Sequence, residues 1–350
     1  MKSWLLFSLL VPVLSASDNT GSKKFISADN SNIALVGRFD LKDKKNPVFM
    51  YSGCQIRTVF KGTSVEVILK DDSLRNMFNV TVDDSLFVLT TNKPDGVYLL
   101  ARNLEAKKHT LQIYRRTEWH GGNTTFKGLN IDKKRRLYKP VVKTRVIEFI
   151  GDSYTCGYGD EGKSREEHFR YDTENNCLTY GSLTSRALDA EYLTVCRSGI
   201  GIWQGYGGDT AFTMPKLYNQ VIIDSKVPWN YKKYQPQAVV IDLGGNDLSA
   251  PLDSSFFVNS YMEFLKRIRN NYQTAKIVCI AGPGDAGEEW DKWRSLIHAV
   301  VDQYGKRDPL TCYFEFTPFK PSGSDWHPNV EEHKRMAGEL VSFLRDLMKW

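Results

Sequence analysis

Three short segments of the chain carry residue types that suit acyl transfer. The first, Arg145 to Asp160 (RVIEFIGDSYTCGYGD), is an apolar run stopped by a Gly-Asp-Ser-Tyr turn, which places Ser153 where a parallel strand gives way to a helix. The second, Val239 to Leu248 (VVIDLGGNDL), sets Gly245, Asn246 and Asp247 after another apolar run. The third, Ser324 to Asn329 (SDWHPN), sets His327 just before a final helical stretch. A serine hydroxyl stays unreactive until a base takes its proton, and the oxyanion formed by its attack needs hydrogen-bond donors. Ser153 as nucleophile, His327 as base and Asn246 as donor meet those needs. The other five histidines have plainer placements: His109 in a strand, His120 beside Gly121 and Gly122, His168 in a polar loop, His298 inside a helix and His333 on the last helix. Only His327 lies in the loop between the last strand and the last helix, with Pro328 after it to start the helix.

Taken in order, the three segments resemble the blocks of the SGNH (GDSL-like) hydrolase superfamily: a Ser in a GDS turn, a Gly, an Asn in GxND and a His near the C-terminus. With a β-rich region before GDSYTCGYG and DWHPN near the end, the chain most resembles carbohydrate esterase family 2, a group of sugar O-acetyl esterases, over residues 25 to 350. The resemblance implies an oxyanion hole made by the Ser153 N–H, the Asn246 amide and a glycine N–H from VCRSGIGIWQG, with Gly201 favoured and Gly199 the alternative. It also implies Asp325 as the acid that orients His327. The broad superfamily usually has that acid three positions before the His, where this chain has Ser324. Family 2 has it two before, and some members lack a usable acid, leaving a backbone carbonyl to hold the imidazole. Trp326 is implied as a platform for a sugar ring, whose apolar face an indole buries well. Trp203, Tyr206, Trp290 and Trp293 extend the cleft in this reading, although Trp290 and Trp293 equally suit helix packing. Asp152 and Asp247 read as braces of their turns. The chemistry requires no metal and no cofactor, and no residue cluster has the spacing of a zinc site.

The elements that must position these residues fall into two halves. From Phe25 to Ile131 short segments alternate with period two, as in SVEVILK, where Val65, Val67 and Leu69 share a face. KGT, DDS, NKPDG and EAKK separate them, so this half reads as a β-sandwich, and the resemblance implies a jelly roll. After Lys139-Pro140 apolar strands alternate with amphipathic helices: strands at 145–150, 192–197, 238–243, 277–281 and 312–317 predict a five-stranded, doubly wound α/β/α domain. The expected division is a signal peptide at 1–17, a β-sandwich at 18–140 and an SGNH-type hydrolase domain at 141–350. Ligands of such open sheets bind beyond the carboxyl ends of the strands, where Ser153, Gly201, Asn246 and His327 fall.

Composition narrows the remaining choices. The chain has 350 residues, 41% hydrophobic and 25% charged, an ordinary globular balance. Its 47 basic and 41 acidic residues give a net charge of +6, and the run Lys133, Lys134, Arg135, Arg136 reads as a solvated interdomain turn, with nothing else to suggest nucleic acid. The start, MKSWLLFSLLVPVLSAS, has a Lys, a short apolar stretch and small residues, the pattern of a secretory signal too short to span a membrane. No later run is long enough to be a transmembrane segment. Two sequons, at Asn79 and Asn123, would take glycans in a eukaryotic secretory pathway. Six cysteines permit disulfides, with Cys156 to Cys177 or Cys196 a candidate bridge near the nucleophile. The expectation is a secreted serine esterase that removes O-acetyl groups from carbohydrate at primary hydroxyls of hexose units. Its rivals are a carbohydrate-binding protein with a vestigial hydrolase site and a lipase or lysophospholipase on the same scaffold.

Overall fold

A computed structural model describes residues 22–284 and 287–350, so the signal-like segment 1–17 lies outside the described residues. Among the described residues the first half holds eleven strands: β1 (Lys23–Ser27), β2 (Ala34–Val36), β3 (Val48–Phe49), β4 (Gln55–Gly62), β5 (Val65–Asp71), β6 (Met77–Val82), β7 (Ser85–Thr90), β8 (Asp95–Ala101), β9 (Lys107–Arg115), β10 (Thr124–Asp132) and β11 (Leu137–Tyr138). They pair antiparallel into two sheets, β1-β10-β5-β8 with β3 beside β10, and β11-β4-β9-β6-β7 with β2 beside β4. Period two explains the packing: Val65, Val67 and Leu69 of β5 turn inward onto Phe60, Phe78, Ile113, Phe126 and Leu129. The basic run 133–136 is solvated as expected, but it joins β10 to β11 inside the sandwich and does not connect the domains.

The second half is a parallel sheet of β12 (Arg145–Gly151), β13 (Ala190–Cys196), β14 (Ala238–Asp242), β15 (Lys276–Ala281) and β16 (Thr311–Glu315), in the order β13-β12-β14-β15-β16. Its helices are α1 (Ser153–Cys156), α2 (Tyr180–Ala187), α3 (Met214–Leu217), α4 (Ser254–Asn271), α5 (Glu288–Gly305) and α6 (Val330–Met348). The strands are apolar on both faces. Ala238 and Val240 pack with Met336 and Leu340 of α6, whereas Val239 and Ile241 pack with Phe264 and Leu265 of α4 and Ile297 of α5. The five-stranded α/β architecture is the one the alternating pattern predicts. Its order reverses at β12, whose neighbours on its two sides are β13 and β14, and this opens a crevice beyond their carboxyl ends. Among the described residues no helix is long and apolar enough to cross a membrane.

Buried polar contacts lock the halves together. Arg38 of the sandwich donates to the carbonyls of Tyr218 and Gln220 at 2.6 and 2.7 Å and lies 3.5 Å from Glu148 of β12, which also accepts the Tyr218 hydroxyl at 2.7 Å. Its guanidinium sits 5.0 Å from the ring centres of both Tyr218 and Trp229. Nearby, Arg116 pairs with Glu161 and donates to the Glu174 carbonyl at 3.1 Å.

Two expectations are corrected here. All six cysteines are free thiols: Cys156 donates to Glu118 at 3.3 Å, Cys177 accepts from Arg186 at 3.3 Å and Cys196 is 3.3 Å from the Ser52 hydroxyl, so no bridge flanks the nucleophile. Asn79 is buried, and the Nδ2 that a glycan would occupy donates to Asn175 at 2.9 Å, which closes that sequon in the folded chain.

Replacing Glu148 with Ala leaves Arg38 charged, buried and without its carboxylate, the kind of loss that costs about 3–5 kcal/mol. Chemical denaturation of the full chain is expected to show a loss of that order; a change within error would mean the carbonyls alone satisfy Arg38.

Candidate active site

The nucleophile turn is built tightly. A Cβ on Gly151 would overlap the Thr155 side chain, so the chain can turn sharply out of β12 only with glycine there. Asp152 caps α1 by accepting the Tyr154 N–H at 3.1 Å, and Ser153 is the first residue of the helix, where its own N–H has no intrahelical acceptor. Ser153 and His327 line one open cavity of about 390 Å³, with Asn246, Tyr206, Trp290, Trp293 and Trp326 also in its wall.

His327 is held by backbone. Its Nδ1 lies 2.8 Å from the Asp325 carbonyl and 3.2 Å from the Ser324 carbonyl. Carbonyls only accept, so the proton is on Nδ1 and Nε2 is the basic nitrogen. Tyr158 tilts over the ring at 4.4 Å between centres and Tyr154 meets it edge-on at 5.4 Å. Burial of the imidazole pushes its pKa below 6.5, against the pull of the two carbonyls.

The Asp325 carboxylate does not touch His327, which corrects the expected Ser-His-Asp arrangement. It accepts instead from Tyr158 Oη at 3.2 Å, His168 Nδ1 at 2.9 Å and the Phe169 N–H at 2.8 Å. Asp325 and Trp326 both have left-handed backbone, φ 48° and 62°, and this turn aims the Asp325 carbonyl at the imidazole while its side chain leaves in another direction. Partial burial raises the pKa of the carboxyl, but His168 and the other two donors outweigh that and hold it below the usual range.

The second block is braced from below. Asp247 accepts the N–H groups of Ile202, Trp203 and Gln204 at 2.9, 2.8 and 3.0 Å. Burial raises its pKa to about 6 in spite of those bonds. Asn246 Nδ2 donates to Asp152 Oδ2 and to the Ile200 carbonyl, both at 3.0 Å, so an oxyanion would take over one of these bonds. Burial, with the neighbouring Asp247 charge, lifts Asp152 to about 7. Both aspartates are therefore braces, as their positions beside the motifs suggest.

The second-block loop is tightly packed at one of its candidate glycines and looser at the other. Gly201 has no room for a side chain, since a Cβ there would overlap Gln204 O and the Asp247 carboxylate, and its carbonyl accepts the Met214 N–H at 2.8 Å. Gly199, at φ 76°, would place a Cβ only in ordinary contact with Tyr206 Cβ at 3.9 Å, and its carbonyl accepts the N–H of cavity-lining Tyr206 at 2.8 Å. Trp203, expected in the cleft, lies outside the cavity, stacked on Phe256 at 4.9 Å beside a separate hollow. Trp290 and Trp293 serve both of the readings open to them: their Nε1 groups donate to Gly282 O and Leu243 O at 3.0 and 3.2 Å, and their rings still line the cavity. Trp326 is 52% exposed and lines the cavity. Tyr154 and Tyr158, which flank the base, carry no motif signal beyond their place after Ser153. Among the described residues no group of three His, Cys, Asp or Glu converges to hold a metal.

This fold and these blocks are those of the GDSL-like lipase/acylhydrolase family, which matches residues 149–335, while the carbohydrate esterase 2 N-terminal family matches residues 35–140. The chain belongs to carbohydrate esterase family 2. A solved family two carbohydrate esterase from Clostridium thermocellum in complex with cellohexaose is 34% identical, with a TM-score of 0.87 over 91% of this chain and 99% of that one. A family two carbohydrate esterase from Cellvibrio japonicus aligns with a TM-score of 0.89 at 26% identity, over 94% of this chain and 99% of its own. By sequence, the chain is 34% identical to the cellulase/esterase CelE of Acetivibrio thermocellus over 92% of its length, yet spans only 40% of that relative. It is 28% identical to an acetylxylan esterase / glucomannan deacetylase of Cellvibrio japonicus, over 99% of both.

Because the imidazole is oriented by carbonyls, Asp325→Asn is expected to lower kcat/KM less than about tenfold, where converting a triad acid to its amide costs about 10⁴. Asn tolerates the left-handed turn, so the carbonyl stays in place. Turnover of 4-nitrophenyl acetate checks this, and a loss near the larger figure would put the carboxylate back on the imidazole. The lowered pKa of His327 keeps the base neutral to lower pH, since protonation is what inactivates it. The acid limb of kcat/KM against pH is expected to have its midpoint below 6.5; a midpoint above that value would contradict the assignment.

Proposed function

We propose that this chain is a secreted serine esterase that removes acetyl groups from carbohydrate, at primary hydroxyls of hexose units, through an acetyl-enzyme on Ser153. The observation that carries the reading is the fixed tautomer of His327, whose carbonyl-bound Nδ1–H leaves Nε2 as the basic nitrogen of a residue that lines the same cavity as Ser153 and Trp326. In this mechanism Ser153 Oγ attacks the acetyl carbonyl as Nε2 takes its proton. The Ser153 N–H and the Asn246 amide hold the oxyanion, and collapse expels the sugar alkoxide with the proton from the imidazolium. Water then repeats the cycle on the acetyl-serine, releasing acetate.

The substrate class draws support from relatives. One is named acetylxylan esterase / glucomannan deacetylase, and one solved neighbour holds cellohexaose. In this chain the exposed indole of Trp326 and the 72% exposed ring of Tyr206 border the cavity, alongside Glu289 and Ser249. Aromatic faces with polar groups between them suit a hydroxylated ring better than a long acyl chain.

Ser153→Ala is expected to reduce turnover by about 10³ to 10⁶ with the fold retained. Rates on 4-nitrophenyl acetate, butyrate and octanoate are expected to fall steeply with chain length, and 6-O-acetyl hexosides to be cleaved faster than their 2- or 3-O-acetyl isomers. Equal rates on acetate and octanoate would favour a lipase, and equal rates on the isomers would remove the regiochemical assignment.

A further inference from the structure

The sandwich sends one carboxylate into the catalytic half. Glu118 follows β9, and its side chain is fully buried. Its Oε2 accepts the Ser198 N–H at 2.7 Å and the Cys156 thiol at 3.3 Å, while Oε1 accepts the Ser198 hydroxyl and lies 3.7 Å from His120 Nδ1. The Glu118 backbone is itself fixed: its N–H donates to Glu174 Oε1 at 3.2 Å and its carbonyl accepts from Arg115 at 3.2 Å. Arg115 in turn holds Asn76 Oδ1 at 2.6 Å and the Gly122 carbonyl at 2.7 Å, within the sandwich.

The two partners of this carboxylate have particular places in the site. Cys156 is the last residue of α1, the single turn that begins with Ser153. Ser198 opens the loop that runs to Ile200, whose N–H donates to the Arg197 carbonyl at 3.3 Å and whose carbonyl accepts Asn246 Nδ2. Asn246 closes the circuit on Asp152, the cap of α1. A rigid anion from the neighbouring domain thus joins the nucleophile turn to the loop that sets the Asn246 amide. Nothing in the acyl-transfer steps consumes this carboxylate, and burying an anion is unfavourable without such bonds.

We propose that Glu118 is a positioning residue for the esterase reaction, acting through Ser198 and Cys156 to hold the nucleophile turn and the second-block loop in register. This rests on the reading of Ser153 as nucleophile. A displacement of about 1 Å in such a constellation costs on the order of 10²-fold in rate without altering the substrate's binding surface. Glu118→Gln keeps the shape but turns one acceptor into a donor, facing either Ser198 or Cys156.

The full chain carrying E118Q is compared with wild type on 4-nitrophenyl acetate, with active sites counted by labelling with an organophosphonate and intact mass. The expected result is a fall in kcat per labelled site of about 10- to 100-fold with KM within about twofold. A wild-type kcat per labelled site, or a change confined to KM, would overturn the proposal, since a merely structural role reduces the number of labelled sites and not the rate of each. If E118Q does not fold, Ser198→Ala decides: a severalfold lower kcat at unchanged KM is expected, and a wild-type kcat overturns it. Ser153→Ala, run in parallel, separates the two readings. An active S153A defeats the serine mechanism, whereas an inactive S153A beside a wild-type E118Q defeats only the role of Glu118.

Discussion

The site depends on the reversal of strand order at β12. Parallel strands joined by right-handed crossovers leave a crevice only where successive connections run to opposite sides. With β13 on one side of β12 and β14 on the other, the turns after β12 and β14 stand next to each other, and so do Ser153 and Asn246. Chain separation between them is large, but the register of the sheet makes them neighbours through Asp152. The buried, two-faced apolar strands make that register rigid, because a slip would carry Val239 and Ile241 off the α4 and α5 face.

At the third corner the chain uses backbone where many hydrolases use a side chain. Two successive non-glycine residues in left-handed conformation, Asp325 and Trp326, are sparsely populated backbone and cost about 1–3 kcal/mol each. The bonds from Asp325 to Tyr158, His168 and Phe169 supply the surroundings that hold the turn. The same turn exposes the indole of Trp326 and brings the Asp325 carbonyl to the imidazole. Orientation of the base and presentation of an aromatic surface are thus two results of one local conformation.

Much of this was legible in the residues themselves. Period-two runs gave the sandwich, and apolar strands alternating with helices gave the parallel sheet, because burial on one face or on both leaves a direct mark on sequence. Ser153, Asn246 and His327 were readable because each follows a strand end or precedes a helix in a recognisable block. What local pattern cannot carry is direction. Asp325 has a suitable type at a suitable spacing, and only its φ of 48° shows that the carboxylate points elsewhere. Trp203 sits in a glycine-rich loop whose path is set by Asp247, a residue more than forty positions away. Glu118 had no signal, since its partners come from another domain and its neighbours Trp119 and His120 look like any surface turn.

Arg38 and Glu148 lie in different domains, 110 positions apart, and share one buried interior. A charge placed there has favourable surroundings only if its counterpart is present, so a change at either position is tolerated chiefly together with a change at the other. The two sites therefore form a single heritable unit, and the sandwich and hydrolase halves of this enzyme are expected to diverge in step, as one object under selection and not as interchangeable parts.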